Sequence, residues 1–184
     1  MSNMKRPLDR LFIISIGIIL FFSSCKQNSG ETKKPIVNPM QYNENLQEAN
    51  RIMAESEEIQ IDDYVSRMGW KMRKTPTGLR YWIYELGEGR KTEKLTIVRF
   101  NSRVELINGF VCYDSKLEGY EEIQLGRSSA PGGLEEGLAM MRVGDKAKLI
   151  LPSHMAFGLL GDQNKIPTKA ILIYDIEILE VRNN

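Results

Sequence analysis

Hydrophobic positions along the 184 residues fall into four regimes. Leu11–Phe22 (LFIISIGIILFF) is an uncharged apolar run of 12 residues, preceded by Lys5, Arg6 and Arg10. Residues 26–41 are mostly polar and punctuated by Gly30, Pro35 and Pro39, a composition that predicts an extended, flexible tether. Between 42 and 69, apolar residues recur at helical spacing. Leu46, Ala49, Ile52 and Met53 predict one helix with Asn43 as its cap. Ile59, Ile61, Tyr64, Val65 and Met68 predict a second, with Asp62 or Asp63 in its first turn and an end near Gly69.

From Leu79 onward the pattern changes to alternating and β-branched runs. Leu79–Leu86, Leu95–Ile107, Glu121–Leu125, Ala147–Leu151 and Ile171–Val181 read as strands. One amphipathic stretch, Gly133–Met141, reads as a helix with Leu134, Leu138 and Met141 on one face. Several strands around one embedded helix predict an α+β domain, an antiparallel sheet wrapped over a short helix and preceded by a helical spacer. The corresponding division is 1–24 leader, 25–41 tether, 42–74 spacer and 75–184 domain.

The leader changes the functional picture most. An apolar run of 12 residues is too short to span a bilayer, which takes about 20, but suits a signal peptide. Ser23 and Ser24 before Cys25 resemble a bacterial lipobox, in which the cysteine becomes the acylated N-terminus. Phe22 stands where an aliphatic residue is commoner. The alternative is a plain signal peptide or anchor with an incidental cysteine. Loss of residues 1–24 removes three basic residues and one acidic residue, leaving a near-neutral chain without a polybasic patch. The lipid on Cys25 is then the expected anchor, and Lys26 gives no inner-membrane retention signal. Outer-membrane residence facing the periplasm is the expectation.

Charge and cysteine content narrow the chemistry. A net charge of +1 gives no case for nucleic-acid binding. Cys25 and Cys112 are too few for a disulfide framework, and one histidine, His154, without an HExxH or CxxC pattern argues against a metal site. No phosphate-binding glycine loop is present, and no cofactor is expected. Cys112 has no base near it in sequence and reads as a buried thiol. Trp70 and Trp82 read as packing residues where spacer meets domain.

The domain resembles the FKBP-type peptidyl-prolyl cis-trans isomerases over roughly residues 77–182. The runs Val98–Ser115 (VRFNSRVELINGFVCYDS), Leu125–Gly158 (LGRSSAPGGLEEGLAMMRVGDKAKLILPSHMAFG) and Ile166–Val181 (IPTKAILIYDIEILEV) carry the likeness. Thr75–Ile83 and Gly161–Pro167, with the helical prelude, look most like FKBP-type lipoproteins of the Bacteroidetes, including gliding-motility-associated isomerases. The resemblance implies an apolar pocket built from Phe100, Tyr113, Leu134, Phe157, Tyr174 and Ile166. Asp114 would be its polar group, with Ala130 and Pro131 at the rim. It implies proline-containing polypeptides as clients. Three residues depart from the family pattern. Leu134 stands where tryptophan is usual, Phe157 where a tyrosine hydroxyl contacts the peptide, and Pro131, lacking an N–H, where a backbone donor is usual. A register shift to Gly132 would restore that donor. Asp162 and Lys165 occupy a loop where apolar residues or histidine are commoner, which disfavours the family's macrolide inhibitors. For the spacer two roles stand open: packing on the domain, or an arm for homodimerisation.

Overall fold

The computed structural model describes residues 39–183, with side chains from residue 43. The leader, most of the tether and Cys25 lie outside the described residues. Residues Asn43–Asn184 form one compact unit.

Instead of two helices, residues Pro39–Met68 form one continuous helix, α1, of 30 residues. Pro39 lies at its first position, where a missing N–H is tolerated. No glycine or proline follows until Gly69, so nothing breaks the helix where the apolar stripe changes, and Asn43 lies inside it rather than capping it. Gly69, with φ +66°, ends it: its N–H bonds the Ser66 carbonyl and that of Trp70 bonds the Val65 carbonyl. Among the described residues no helix is long and apolar enough to cross a membrane.

Seven strands follow: β1 (Arg73–Lys74), β2 (Arg80–Glu85), β3 (Ile97–Leu106), β4 (Val111–Asp114), β5 (Glu121–Gln124), β6 (Lys146–Leu151) and β7 (Leu172–Arg182). All pair antiparallel in the order β1-β2-β6-β7-β3-β4, with β5 also on β3. The sequence pattern anticipated β2, β3, β5, β6 and β7 to within a few residues. It missed β4 and the two-residue β1, which lies in the stretch assigned to the spacer. The long β3 serves two partners on one edge: Ile97–Phe100 pair β5, and Arg103–Glu105 pair β4. Between β4 and β5 the short helix α2 (Ser115–Glu118) interrupts the edge.

Alternation along the strands gives the sheet two faces. Val98, Phe100, Val104, Leu149, Tyr174, Ile176 and Ile178 point to one face and form the main core with helix α3 (Gly132–Ala139). α3 approaches closely because of its glycines. A Cβ on Gly137 would stand 3.0 Å from Leu149 Cδ2 and nearer still to Cδ1. Thr92 Oγ1 donates to the carbonyls of Leu138 and Met141, tying down the end of α3.

The opposite face carries Ile150 and Ile173, which with Ile171 and Ile61 of α1 form a second cluster, flanked by Tyr64, Val65 and Trp70. The C-terminal half of α1 thus packs on the domain. Polar contacts reinforce this: buried Glu57 accepts from the Ser153 N–H (2.8 Å) and hydroxyl (2.5 Å), and Arg80, nearly covered, reaches Asp62 (2.7 Å) and Glu58 (3.3 Å). Trp70 packs in this cluster as expected, and the Trp82 ring lies tilted against that of Tyr84, 5.6 Å between centroids.

Candidate functional site

Three connections surround one end of α3 on the main-core face: the α2 interruption, the loop after β5, and the long β6–β7 connection. Together with β3, β4 and β7 they enclose an open cavity of about 790 Å³, within the range typical of small-ligand sites. Its floor and walls include Val104, Tyr113, Leu134, Phe157, Ile166 and Tyr174, with Ala130 and Pro131 at the helix start. Seven residues expected from the sequence therefore converge: Tyr113, Leu134, Phe157, Tyr174, Ala130, Pro131 and Ile166. Gly132 does not line the cavity, so the wall at this point presents Pro131, which has no N–H.

Two expected residues do not join them. Phe100 is fully buried in the main core, pairing with Ile178 across β7, and does not reach the cavity surface. Asp114 follows Tyr113 on β4, and strand alternation turns the two side chains to opposite faces. Its carboxylate caps α2 by accepting from the Lys116 N–H (2.9 Å) and pairs with Arg103 (3.1 Å). The Lys116 N–H bond and the Arg103 charge together outweigh partial desolvation and hold its carboxyl below the usual range. Asp114 lines a separate hollow with Arg103, Lys146 and Asp175.

The cavity's acidic anchor is Asp162. Its carboxylate accepts from the Tyr113 hydroxyl and from the N–H groups of Asn164 (2.9 Å) and Ile166 (2.8 Å). Desolvation opposes ionisation, but these hydrogen bonds prevail and keep the carboxyl below its ordinary value. Burial, with the bond to Asp162, pushes the Tyr113 hydroxyl up, so it remains protonated. Asn164 Nδ2 donates back to the Tyr113 oxygen (3.2 Å), and the Lys165 ammonium lies 4.6 Å from the Tyr113 ring. The sequence held a sign of this arrangement: Gly-Asp-Gln-Asn is turn-forming and fits an aspartate that bonds the N–H two residues on.

No cysteine or histidine lines the cavity. Cys112 is buried outside it, and burial pushes its thiol up. Exposed His154 donates its Nε2–H to the Thr77 carbonyl (3.1 Å), away from the lining. Among the described residues no cluster of His, Cys, Asp or Glu is arranged to hold a metal ion. What remains is a recess with an apolar and aromatic part, formed by Val104, Tyr113, Leu134, Phe157, Ile166 and Tyr174, beside a polar part that includes Glu118, Glu122, Arg127 and Ser129.

A family model described as FKBP-type peptidyl-prolyl cis-trans isomerase matches residues 88–179, half of the chain. The isomerase FkpA of Buchnera aphidicola from Schizaphis graminum is 37% identical over 111 residues, covering 60% of this chain and 43% of that protein. FkpA of Aeromonas hydrophila is 28% identical over 147 residues, covering 77% and 54%. The chain spans about half the length of the curated relatives it matches. In fold it is similar to the crystal structure of FkpA from Escherichia coli, with a TM-score of 0.62 and 23% identity over 98% of this chain and 84% of that one.

Proposed function

The chain belongs to the FKBP-type peptidyl-prolyl cis-trans isomerase family, and we propose that its cavity accelerates rotation about X–Pro bonds in proline-containing polypeptides. Rotation about an amide must break resonance, a barrier of about 18–20 kcal/mol. No proton or covalent bond need move. An apolar recess that strips water from the amide and fits its twisted form better than its planar form lowers that barrier, about tenfold in rate for each 1.4 kcal/mol. The observation that carries this reading is the convergence of Tyr113, Leu134, Phe157, Ile166 and Tyr174 on one cavity. The test is the slow, proline-limited refolding phase of a substrate protein. The protein should accelerate it, and the double variant Phe157→Ala, Ile166→Ala should not. No effect of the unaltered protein removes the isomerase reading.

A second reading is favoured by Pro131 and Phe157, which deprive the rim of two donors: a module that holds unfolded chains with little catalysis. Suppression of aggregation that ignores cavity variants but is lost on deleting residues 42–69 supports it.

The address is a separate proposal. Lys5, Arg6 and Arg10, the apolar run Leu11–Phe22 and the Ser-Ser-Cys triplet support export and acylation at Cys25, with the protein on the outer membrane facing the periplasm and acting on exported proteins. Palmitate labelling lost in Cys25→Ser supports it, and recovery only with the inner membrane contradicts the outer-membrane address. Exposed Leu46 and Ile52 on α1 support a homodimer through that helix, checked by sedimentation. The Bacteroidetes-like features of the spacer and the Gly161–Pro167 loop support service to a gliding or secretion apparatus. A deletion strain with normal motility and secretion contradicts that role.

A further inference from the structure

The hydroxyl of Tyr174, on the cavity floor, has no protein partner among the described residues. Tyr174 stands on β7 between Val104 of β3 and Leu149 of β6, is 4% exposed, and lines the cavity. Its hydroxyl makes no hydrogen bond among the described residues, yet no fully buried side-chain polar atom lacks a partner. The hydroxyl therefore opens onto the cavity. Packing alone would be served by phenylalanine, so the hydroxyl is left free to meet a ligand that enters the cavity. Burial, and behind it the charge of Glu121, push its pKa up, so the group is a donor. At the other wall positions that family resemblance implied, the polar groups are committed or missing. The Tyr113 hydroxyl donates to Asp162 and accepts from Asn164. Pro131 has no N–H and Phe157 no hydroxyl.

A proline residue entering an apolar recess brings its ring and no N–H. The acceptor nearest the ring nitrogen is the carbonyl of the preceding residue. We propose that the Tyr174 hydroxyl anchors a bound polypeptide by donating a hydrogen bond to the carbonyl oxygen of the residue before proline. This rests on the isomerase reading of the cavity. Amide resonance places negative charge on that oxygen in the planar state, and twisting withdraws it. The bond is thus at least as strong in the planar ground state as in the twisted one. An interaction of that kind strengthens binding without speeding rotation. Tyr174 is a positioning and specificity residue, which gives its loss a distinctive kinetic sign.

The test uses the full-length protein and Tyr174→Phe, which keeps the ring and its packing. The probe is a short peptide with leucine before proline, together with its thioamide analogue, in which sulfur replaces the carbonyl oxygen as a weak acceptor. Tyr174→Phe should raise KM and the calorimetric Kd for the oxo peptide about tenfold, the effect of one neutral hydrogen bond, with kcat unchanged. The thioamide should bind the unaltered protein about tenfold more weakly than the oxo peptide, and Tyr174→Phe should bind both alike. A Kd for Tyr174→Phe within twofold of the unaltered protein overturns the inference, as does a fall in kcat at constant KM. If the unaltered protein binds the peptide without accelerating its isomerisation, the isomerase reading fails and the Kd comparison still decides the role of Tyr174. If it neither binds nor accelerates, both fall.

Discussion

Gly161 opens the loop that carries Asp162 and Ile166 into the cavity, and its substitution tests how the wall is held. Its φ is +66°, and a Cβ there would lie 2.9 Å from the carbonyl carbon of Pro167 and closer still to the carbonyl oxygen of Ile166. Gly69 has the same φ with nothing within 4 Å of its Cβ position. Gly69→Ala therefore isolates the left-handed backbone penalty, about 1–2 kcal/mol. At about 2–4 °C per kcal/mol that is about 2–8 °C in Tm. Gly161→Ala adds a clash with main chain that no rotamer relieves. The cheaper response is to open the loop. This forfeits the bond from the Asp162 N–H to the Ile166 carbonyl (3.1 Å) and that from the Ile166 N–H to the Asp162 carboxylate (2.8 Å). At about 1 kcal/mol each, with about 1.5–3 kcal/mol for exposing Ile166, opening costs about 4 kcal/mol. Gly161→Ala should therefore melt below Gly69→Ala, and its kcat/KM on an X–Pro peptide should fall at least tenfold while Gly69→Ala keeps the full value. Thermal unfolding and peptide isomerisation measure the two. Equal Tm and equal kcat/KM for the two variants would refute the reasoning.

Glu57→Ala leaves the Ser153 N–H and hydroxyl buried without their acceptor and should cost about 1–3 kcal/mol, read by urea unfolding; an unchanged midpoint contradicts the α1 contact. Ile61→Ala empties a fully buried site against Ile150, Ile171 and Ile173 and should cost about 2–5 kcal/mol. Because the carboxyl of Asp162 is lowered from its ordinary value of 3.8, its stabilisation of the loop is complete above that pH and is lost as pH falls through the lower folded value. NMR shifts of Tyr113 and Ile166 should hold constant from neutrality to about pH 4 and move only below it, and movement near pH 6 contradicts the assignment. Cys112, buried and with its thiol pushed up, should resist a thiol reagent in the native protein and react on unfolding.

Much of the fold was legible because period-2 alternation marks strands buried on one face, as in β3, and a 3.6-residue period marks α3. The single α1 was not. Two apolar stripes on one helix look like two helices when the second turns toward a sheet face that the first does not share. β4 was hidden because its four residues lie between a turn and α2, too short a run for alternation to emerge. Of the residues that family resemblance implied for the pocket, seven line the cavity, and Phe100 and Asp114 do not. Local alternation between Tyr113 and Asp114, and the capping demand of α2, decide the direction of Asp114, and neither is visible in a motif. Asp162 entered the sequence reading as a departure from the pattern, whereas its two N–H bonds and its bond from Tyr113 make it the wall's polar anchor.

The central claim is that this recess speeds amide rotation, and exchange NMR of a short Leu-Pro peptide tests it most directly. With the unaltered protein at substoichiometric concentration, cis and trans signals should exchange well above the uncatalysed rate of one event in tens to hundreds of seconds. Tyr113→Ala, folded by its circular dichroism, should lose most of that acceleration. An uncatalysed rate in the presence of well-folded unaltered protein contradicts the claim.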